Sequence, residues 1–512
     1  MKYLPIRKKA PPRSGGGAAA YLTVYLALTV SVILSFLFAL IEGARQNAVR
    51  MQVEIVGDIA SQSVLAEFHR ELLRQYDLLF VDMTYGTGVK SEDNVTQHFR
   101  RYMAENYGRK AGFTFRDIRS FTALTPESVL LTGTRCAADS GGAAVREQVN
   151  AYMSAEPVGA VVSSALAVVD VFDGFSFLGG GWEERRDETE EAKNAGLYEA
   201  ARKKQEEMER RREAAIAAGE EFEEEEEEDP AALDPTKPVE EFRAMPLLAQ
   251  IFGSTEDLSD SNVDAAKLLT HRAYHTGTGL RVPNTHGYGR ADSVLFNEYL
   301  LEKCGYFTKK REGTPLSYEI EYILFGEDND QANLEKTAAS LLGIRFASNC
   351  AYLFGDSGKV AQAEFMAGAV SLILFLPELK DALKFAILFA WSYVESIRDL
   401  RRLFGGGRVP LAKDSSSWQT SLASILVPSA GGGGNKEGSG LDYRDYLRIL
   451  LWLENGEART FRFMDVAEMN IRKTEGNAGF CMDWCMDAFA VETVTGSAFG
   501  QTVKYSRAVS YN

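Results

Sequence analysis

Cysteine is scarce in this chain, with five residues among 512. So small a number excludes the disulfide scaffold of small secreted domains. Cys481 and Cys485 lie four residues apart in CMDWC, which is neither the C-x-x-C of redox proteins nor a zinc spacing. We expect both to be small apolar residues packed in a helix, because free cysteine is commonly buried.

Motifs for common chemistries are missing as well. The sequence contains no G-x-G-x-x-G, no G-x-x-x-x-G-K-S/T and no G-x-S-x-G. It therefore has neither of these glycine-rich phosphate-binding motifs, nor the motif that positions the nucleophile of α/β-hydrolases. GEDND at 326–330 lacks the glycine and closing glutamate of an EF-hand, so a turn-rich loop is expected there. Basic patches with interleaved aromatic residues are absent beyond the N-terminal flank, which argues against nucleic acid as a partner. The sequence therefore predicts no catalytic residue, no cofactor and no metal ligand.

Negative charge is concentrated in one segment. The net charge is −16, and Glu183 to Asp229 alone holds 20 acidic and 9 basic residues. Its first part can form a solvated helix through Glu and Arg pairs three or four residues apart, whereas the run Glu223 to Glu228 repels itself. We predict a charged helix and an acidic, proline-bearing linker over 183–245, with cation binding or partner docking as the alternative.

A long charge-free run follows the basic N-terminus. Ala18 to Ile41 is uninterrupted and apolar, long enough to cross a hydrocarbon core, which needs about 20 helical residues. The basic residues before it predict that 1–17 stay cytoplasmic and that the bulk of the chain is extracytoplasmic, with the lipid bilayer as a partner. These residues are Lys2, Arg7, Lys8, Lys9 and Arg13. A cleaved signal peptide fits less well, because its apolar region is shorter and ends at small residues.

The segment after the membrane span has helical spacing. Over 42–80 we predict a stalk helix that Tyr85 to Gly88 ends, with Ala44, Ala48, Met51, Ile55 and Ile59 on one face. Such a helix cannot bury its face alone, so the face needs either the chain's own domain or another subunit.

The rest of the chain predicts an α+β fold that is mainly helical. We expect a mixed globular region over 81–182, in which Val158 to Val171 is a helix or a strand, and a helical C-terminal domain with terminal strands over 246–512. Ala367 to Leu376 and Phe385 to Val394 are too short to cross a membrane and predict two buried helices. Alternation at Phe489, Val491 and Thr493, then at Val503 and Tyr505, predicts an antiparallel pair that turns near 495–500.

Three of the five histidines cluster in sequence, namely His271, His275 and His286. On a helix the first two, in HRAYH, would share a face and could hold a metal. The alternative function is therefore an extracytoplasmic metal-dependent hydrolase that uses these three residues. The pattern is weak, because Arg272 stands where a zincin helix has its catalytic glutamate.

The anchor and several C-terminal segments carry a resemblance. GAAAYLTVYLALTVSVILSFLFALIEGAR (17–45) resembles the anchor of pseudopilin-like, TadE-like proteins found with tight-adherence (Tad/Flp-type) pilus systems. Over about 295–475 the chain is similar to an uncharacterised Gram-positive family with such an anchor. The segments concerned are YEIEYILFG (318–326), DNDQANL (328–334), AWSYVESIRDLRRLFGGGRVPLAK (390–413) and LDYRDYLRILL (441–451).

The resemblance implies a single-pass, non-enzymatic protein in pilus or cell-surface and secretion machinery assembly, with protein partners from that machinery. A prepilin peptidase site would place glutamate five residues into the apolar run, where Leu22 stands after Gly17. Glu42 follows the run instead, so permanent anchoring is expected.

The segment 390–413 predicts an amphipathic helix on its own pattern. Glu395, Arg398, Asp399 and Arg402 would form an ion-paired outer face. Glu395 and Arg398 as buried, structural partners are the alternative.

Overall fold

The protein is described by a computed structural model for residues 16–108, 124–155, 159–175, 181–218, 230–282, 289–430, 439–454, 456–497 and 500–511. Most of these residues are helical, and a small antiparallel sheet accompanies the helices, as the α+β prediction requires. The helices are α1 (Gly16–Leu65), α2 (Arg70–Tyr76), α3 (Asp93–Gly108), α4 (Ala143–Ala155), α5 (Gly159–Phe175), α6 (Trp182–Ala218), α7 (Lys237–Arg243), α8 (Leu247–Phe252), α9 (Arg290–Lys303), α10 (Glu319–Phe325), α11 (Asp330–Gly355), α12 (Ser357–Ile373), α13 (Lys380–Phe404), α14 (Tyr443–Leu453) and α15 (Glu457–Arg472).

The sheet is built around the third strand. The strands are β1 (Val81–Asp82), β2 (Thr125–Cys136), β3 (Cys485–Gly496) and β4 (Thr502–Ser510). β3 pairs antiparallel with β2 along one edge and with β4 and β1 along the other. The predicted terminal strand pair is confirmed, and β4 returns with Val491 opposite Arg507. The pairing of β2 with β3 joins residues 350 or more positions apart, which no local pattern indicates.

α1 is long and apolar enough to cross a membrane. Its most apolar window has no buried residues, and side chains from Tyr21 to Ile41 point outward along the helix. A fully exposed apolar helix is unfavourable in water and favourable in a lipid bilayer. The single membrane span predicted over 18–41 is therefore supported by length, composition and exposure.

The predicted helix over 42–80 is too long by 15 of its 39 residues. α1 ends at Leu65, and α2 is a separate short helix, so the turn at Tyr85 to Gly88 does not end α1. His69 begins α2 by accepting a hydrogen bond from the Leu72 amide on Nδ1, at 3.2 Å. Its Nε2 lies 3.1 Å from Asn477 Oδ1, and its ring packs on Phe480. These tertiary contacts hold the chain in a turn where local propensity allows helix.

The middle of the chain is largely helical. In the apolar stretch at 158–171, residues 159–171 lie in helix α5 and not in a strand, and Val158 lies outside the described residues. The predicted charged helix is α6, whose side chains are mostly exposed, while the acidic run at 223–228 lies outside the described residues. Lys193 anchors α6, because its buried Nζ donates to Asp234 Oδ2 at 2.8 Å and Thr236 Oγ1 at 2.9 Å.

One of the two predicted buried helices is only half buried. α13 is buried along most of its length, as expected. α12 packs on α13 through the small residues Ala363, Ala367 and Ser371. Its larger side chains face outward, with Phe365 81% exposed, and Phe375, just past its end, is 86% exposed. The run of apolar residues at 367–376 therefore has an apolar outer face as well as an apolar inner one.

Both cysteines of CMDWC are buried, but the prediction that they lie in a helix is wrong. A three-residue 3-10 turn separates Cys481 from Cys485, which begins β3. Burial raises the pKa of the Cys485 thiol well above its usual range, which makes it a packing residue and a poor nucleophile.

Candidate interaction surface

One face of α1 beyond the membrane span is covered by the globular part. Every third or fourth residue there is buried, and α1 packs against α3 and β4. We call this set the covered face, and its members are Val49, Val53, Val56, Ala60 and Val64. Four of the five are valines, whose branched side chains are stiff and lose little freedom on packing.

A glycine lets the last strand approach α1 closely. A Cβ added at Gly57 would lie 2.7–2.8 Å from the ring of Tyr505 on β4, so the ring occupies the space that a side chain would need. The Tyr505 hydroxyl donates to Asp58 Oδ1 at 2.8 Å, and Arg507 Nη1 donates to the same oxygen at 2.6 Å. α1 and β4 are thus held by shape and by charge at the same place.

The contact begins where the apolar run ends. Gln501 Nε2, beside the β3–β4 turn, donates to Glu42 Oε1 at 3.0 Å. The side chains of Arg45, Gln46 and Gln501 all bond the Glu42 carboxylate, and the Arg45 bond contributes most to lowering its pKa to about 2. Since Glu42 directly follows Ile41, the helix already touches the globular part at its first residue beyond the span. The predicted stalk is a helix with the domain packed along its side.

The opposite face of α1 is apolar and uncovered. The five residues predicted to need a partner share it, and we call them the open stripe: Ala44, Ala48, Met51, Ile55 and Ile59. Met51 is 61% exposed, Ile55 48% and Ile59 42%. The stripe continues in register into the membrane span through Leu37 and Ile41, at the spacing of a helix–helix seam. Among the described residues the chain's own domain packs on the other side of the helix, so another subunit as the partner of the open stripe stays a prediction.

The histidines do not form the geometry that a metal site would need. Residues 271–275 are a turn followed by irregular chain, so His271 and His275 do not share a helical face, and His286 lies outside the described residues. The His275 ring stacks on Trp484 with centroids 3.9 Å apart, and its backbone amide donates to Asp483 Oδ2 at 2.9 Å. His271 is exposed, with Nδ1 3.0 Å from Thr270 Oγ1. The hydrolase alternative thus lacks the helical pair on which it depended.

Three other potential metal ligands do converge, namely Glu468, Cys481 and Asp483. Arg272 spans the two carboxylates, with Nη1 2.7 Å from Glu468 Oε1 and Nη2 2.6 Å from Asp483 Oδ1. Arg472 also pairs with Glu468 and approaches Cys481 Sγ at 3.5 Å. Two guanidinium groups already satisfy these acids, so the cluster is a buried salt-bridge network.

The segment 390–413, whose helical part belongs to α13, carries a second buried network instead of an ion-paired outer face. Glu395 and Asp399 are both inaccessible to solvent, and so are their partners Arg345 and Lys413. Lys413 Nζ pairs with both acids, and Arg345 Nε donates to Asp399 Oδ2 at 3.0 Å. The alternative prediction, that Glu395 and Arg398 are buried structural partners, is half right. Glu395 is a buried structural partner, but it binds Lys413. Arg398 instead donates to the Gln419 carbonyl.

A broad cavity of about 900 Å³ lies between α6 and α11. Apolar side chains such as Ile344, Phe346 and Leu411 form its floor, and carboxylates of α6 stand at its rim. Ser348 on the floor already donates to the Leu411 carbonyl. Acidic residues on a solvated helix do not by themselves indicate a ligand.

A family model matches more than half of the chain. It covers residues 223–497 and describes a family of unknown function, DUF5702. The chain belongs to this family. The match includes the four C-terminal segments that carry the resemblance to an uncharacterised family, together with the His271 region and both buried salt-bridge networks. The family model does not cover α1, and its description does not mention pili. No curated protein and no solved structure matches the chain.

Proposed function

We propose that this DUF5702 protein is a membrane-anchored, non-enzymatic assembly component of a pilus or related cell-surface or secretion machine, with its globular part outside the cytoplasm. The resemblance of its anchor to pseudopilin-like proteins suggests the machine, and the basic flank before Ala18 suggests the orientation.

The open stripe is the observation that carries the proposal. It joins the membrane span without a break, and it presents five apolar side chains on a helix whose other side is already occupied. A partner that shares the membrane can pack along the span and along residues 42–59 with one continuous helix.

The ionisable clusters favour a structural role over catalysis. In the described residues, arginine and lysine form buried ion pairs with Glu468 and Asp399. A catalytic role would require an acid or base that substrate can reach. This supports the proposal of a role in contact between proteins.

The test is cross-linking in intact cells. A photo-reactive amino acid at Ile55 is expected to cross-link to a membrane component of a surface-assembly machine, while the same amino acid at Tyr198, exposed on α6, does not. Deleting the gene is expected to reduce surface assembly. The proposal fails if Ile55 yields no specific adduct and deletion leaves surface assembly unchanged.

Orientation has its own measurement. Protease added outside intact cells is expected to cleave the globular part and to leave the first 17 residues intact. A globular part that is protected until the cells are lysed would reverse the proposed topology.

A further inference from the structure

Four residues of the open stripe continue a repeat that starts inside the membrane span. The repeat advances along α1 in alternating steps of four and three residues, and every member is uncharged and exposed in the single chain. Such steps average 3.5 residues and describe a left-handed pair of helices, with residues alternating between the d and a positions of a heptad. We call this set the seam, and its members are Leu37, Ile41, Ala44, Ala48, Met51 and Ile55.

The side chains of the seam are typical of two parallel helices. The steps put Ile41 and Ile55 at a positions, and Leu37 and Met51 at d positions. Isoleucine at a with leucine at d favours two strands over three or four. The remaining two members are alanines, whose small side chains let neighbouring helices approach closely where they leave the bilayer. The residue types therefore favour one partner helix that runs in the same direction.

The edges of the seam are compatible with a second copy of the same helix. In a parallel pair, a g residue of one helix lies near the e residue five positions further along the other. Asn47 at g is exposed and Gln52 at e is half-buried, and neither side chain is hydrogen-bonded within the part of the chain that the structure describes. Amides both donate and accept, so Asn47 of one copy can bond Gln52 of the other on both sides of the seam. Glu54, the next g residue, would face Ile59, so these edges bring no like charges together.

Asp58 marks the outer end of the seam. It takes the next d position, where two copies would place their carboxylates against each other. Its Oδ1 instead accepts from the Tyr505 hydroxyl at 2.8 Å and from Arg507 Nη1 at 2.6 Å, both on β4 of the same chain. The seam therefore ends at Ile55.

The membrane restricts which helix can pair along the seam. The partner has to cross the bilayer in the same direction and continue outward as a helix with the same repeat at the same depth. A second copy meets these conditions, because its own seam leaves the apolar run at Ile41 in the same register. The covered face lies roughly 140° around α1 from the seam, at about 100° per residue. The globular parts of two copies would thus lie on opposite sides of the helix pair and leave the seam accessible.

We propose that a second copy of this chain covers the open stripe, so that two α1 helices form a parallel dimer along the seam. The inference rests on the proposed function, which makes the stripe a contact between proteins, and it names the partner.

Cysteine cross-linking of the full chain tests the dimer. The experiment is done in native membranes, because dilution into detergent favours the single chain. All five native cysteines are buried, so an introduced cysteine is the accessible one. Ala48→Cys, Met51→Cys and Ile55→Cys should each give a disulfide-linked product of twice the chain's mass, since a parallel seam sets each residue against its own copy. Arg50→Cys, exposed between the two faces of α1, and Tyr198→Cys, exposed on α6, should not.

A charge in the seam provides a second variant. In the Met51→Cys chain, Ala48→Glu would set two glutamates against each other and should abolish the doubled product. Arg50→Glu in the same chain should keep it. Both positions are exposed in the single chain, so thermal unfolding should be unchanged by either substitution.

Three results would overturn the dimer: no doubled product at the seam positions, equal yields at the two control positions, or a doubled product that survives Ala48→Glu. If a photo-reactive residue at position 55 then cross-links only to another protein, the second copy is the wrong partner while the proposed function stands. A doubled product together with unchanged surface assembly on deletion would support the dimer and count against the proposed function.

Discussion

The covered face and the open stripe of α1 are almost equally apolar, yet only one packs against the protein's own fold. Val49, Val53 and Val56 lie against the sheet, while Met51 and Ile55, one or two positions away, face outward. A helix with a single apolar stripe needs one partner, and a helix with two needs two. The comparison teaches that periodicity identifies faces suited to packing but does not say which partner takes which face.

The largest expected effect on stability comes from placing a carboxylate on each face of α1 in turn. Val53→Asp buries a carboxylate with no partner and should cost about 3–5 kcal/mol of unfolding free energy. Ile55→Asp, two residues on, should stay within about 0.5 kcal/mol because its side chain is exposed. Thermal unfolding of the full chain in detergent measures both. Equal destabilisation would mean that the two faces are not different in the way described.

A second pair of substitutions compares a crowded glycine of α1 with an uncrowded one. Gly57→Ala drives a methyl group into the Tyr505 ring and should destabilise by about 1–3 kcal/mol, the usual cost of overpacking. Gly43→Ala, with nothing within 4 Å of the new Cβ, should instead stabilise the helix by about 0.5–1 kcal/mol. Opposite signs in the same unfolding experiment are the expected result, and the same sign in both would contradict the close contact of α1 with β4.

Removal of a single hydroxyl group should have the smallest effect on stability. Tyr505→Phe removes the bond to Asp58 and keeps the ring, so a loss of about 0.5–1.5 kcal/mol is expected. Tyr198→Phe, on the exposed side of α6, is the matched control and should change nothing measurable. A loss at position 198 as large as that at 505 would remove the bond to Asp58 as the explanation.

Local sequence patterns were sufficient to predict some elements of the fold. The apolar run to Ile41, the charged helix α6 and the alternation that becomes β3 and β4 each depend on a period or composition within 10 to 40 residues. The structure contains all three, because burial or solvation of a single segment determines them.

Other features depend on residues that are distant in sequence. β2 pairs with a strand near the other end of the chain, and Lys413 neutralises Glu395 from beyond the end of the helix that carries the acid. Sequence spacing suggested that Arg398 and Arg402 would pair with those acids, since they are three or four residues away. Asn150 and Arg459 line one cavity although they lie more than 300 positions apart, and no local pattern indicates that proximity.

The bond between Asp58 and Tyr505 joins residues 447 positions apart. At ~5–20 residues per second, a ribosome needs about 20–90 s to make the intervening chain. During that time α1 and α3 can already be complete, while β4 does not yet exist. The part of the covered face that β4 takes is then still open, so a protein that engages the helix early meets a larger apolar surface than the finished molecule offers. The order of synthesis thus gives this anchor a brief period in which it can bind partners that the mature fold excludes.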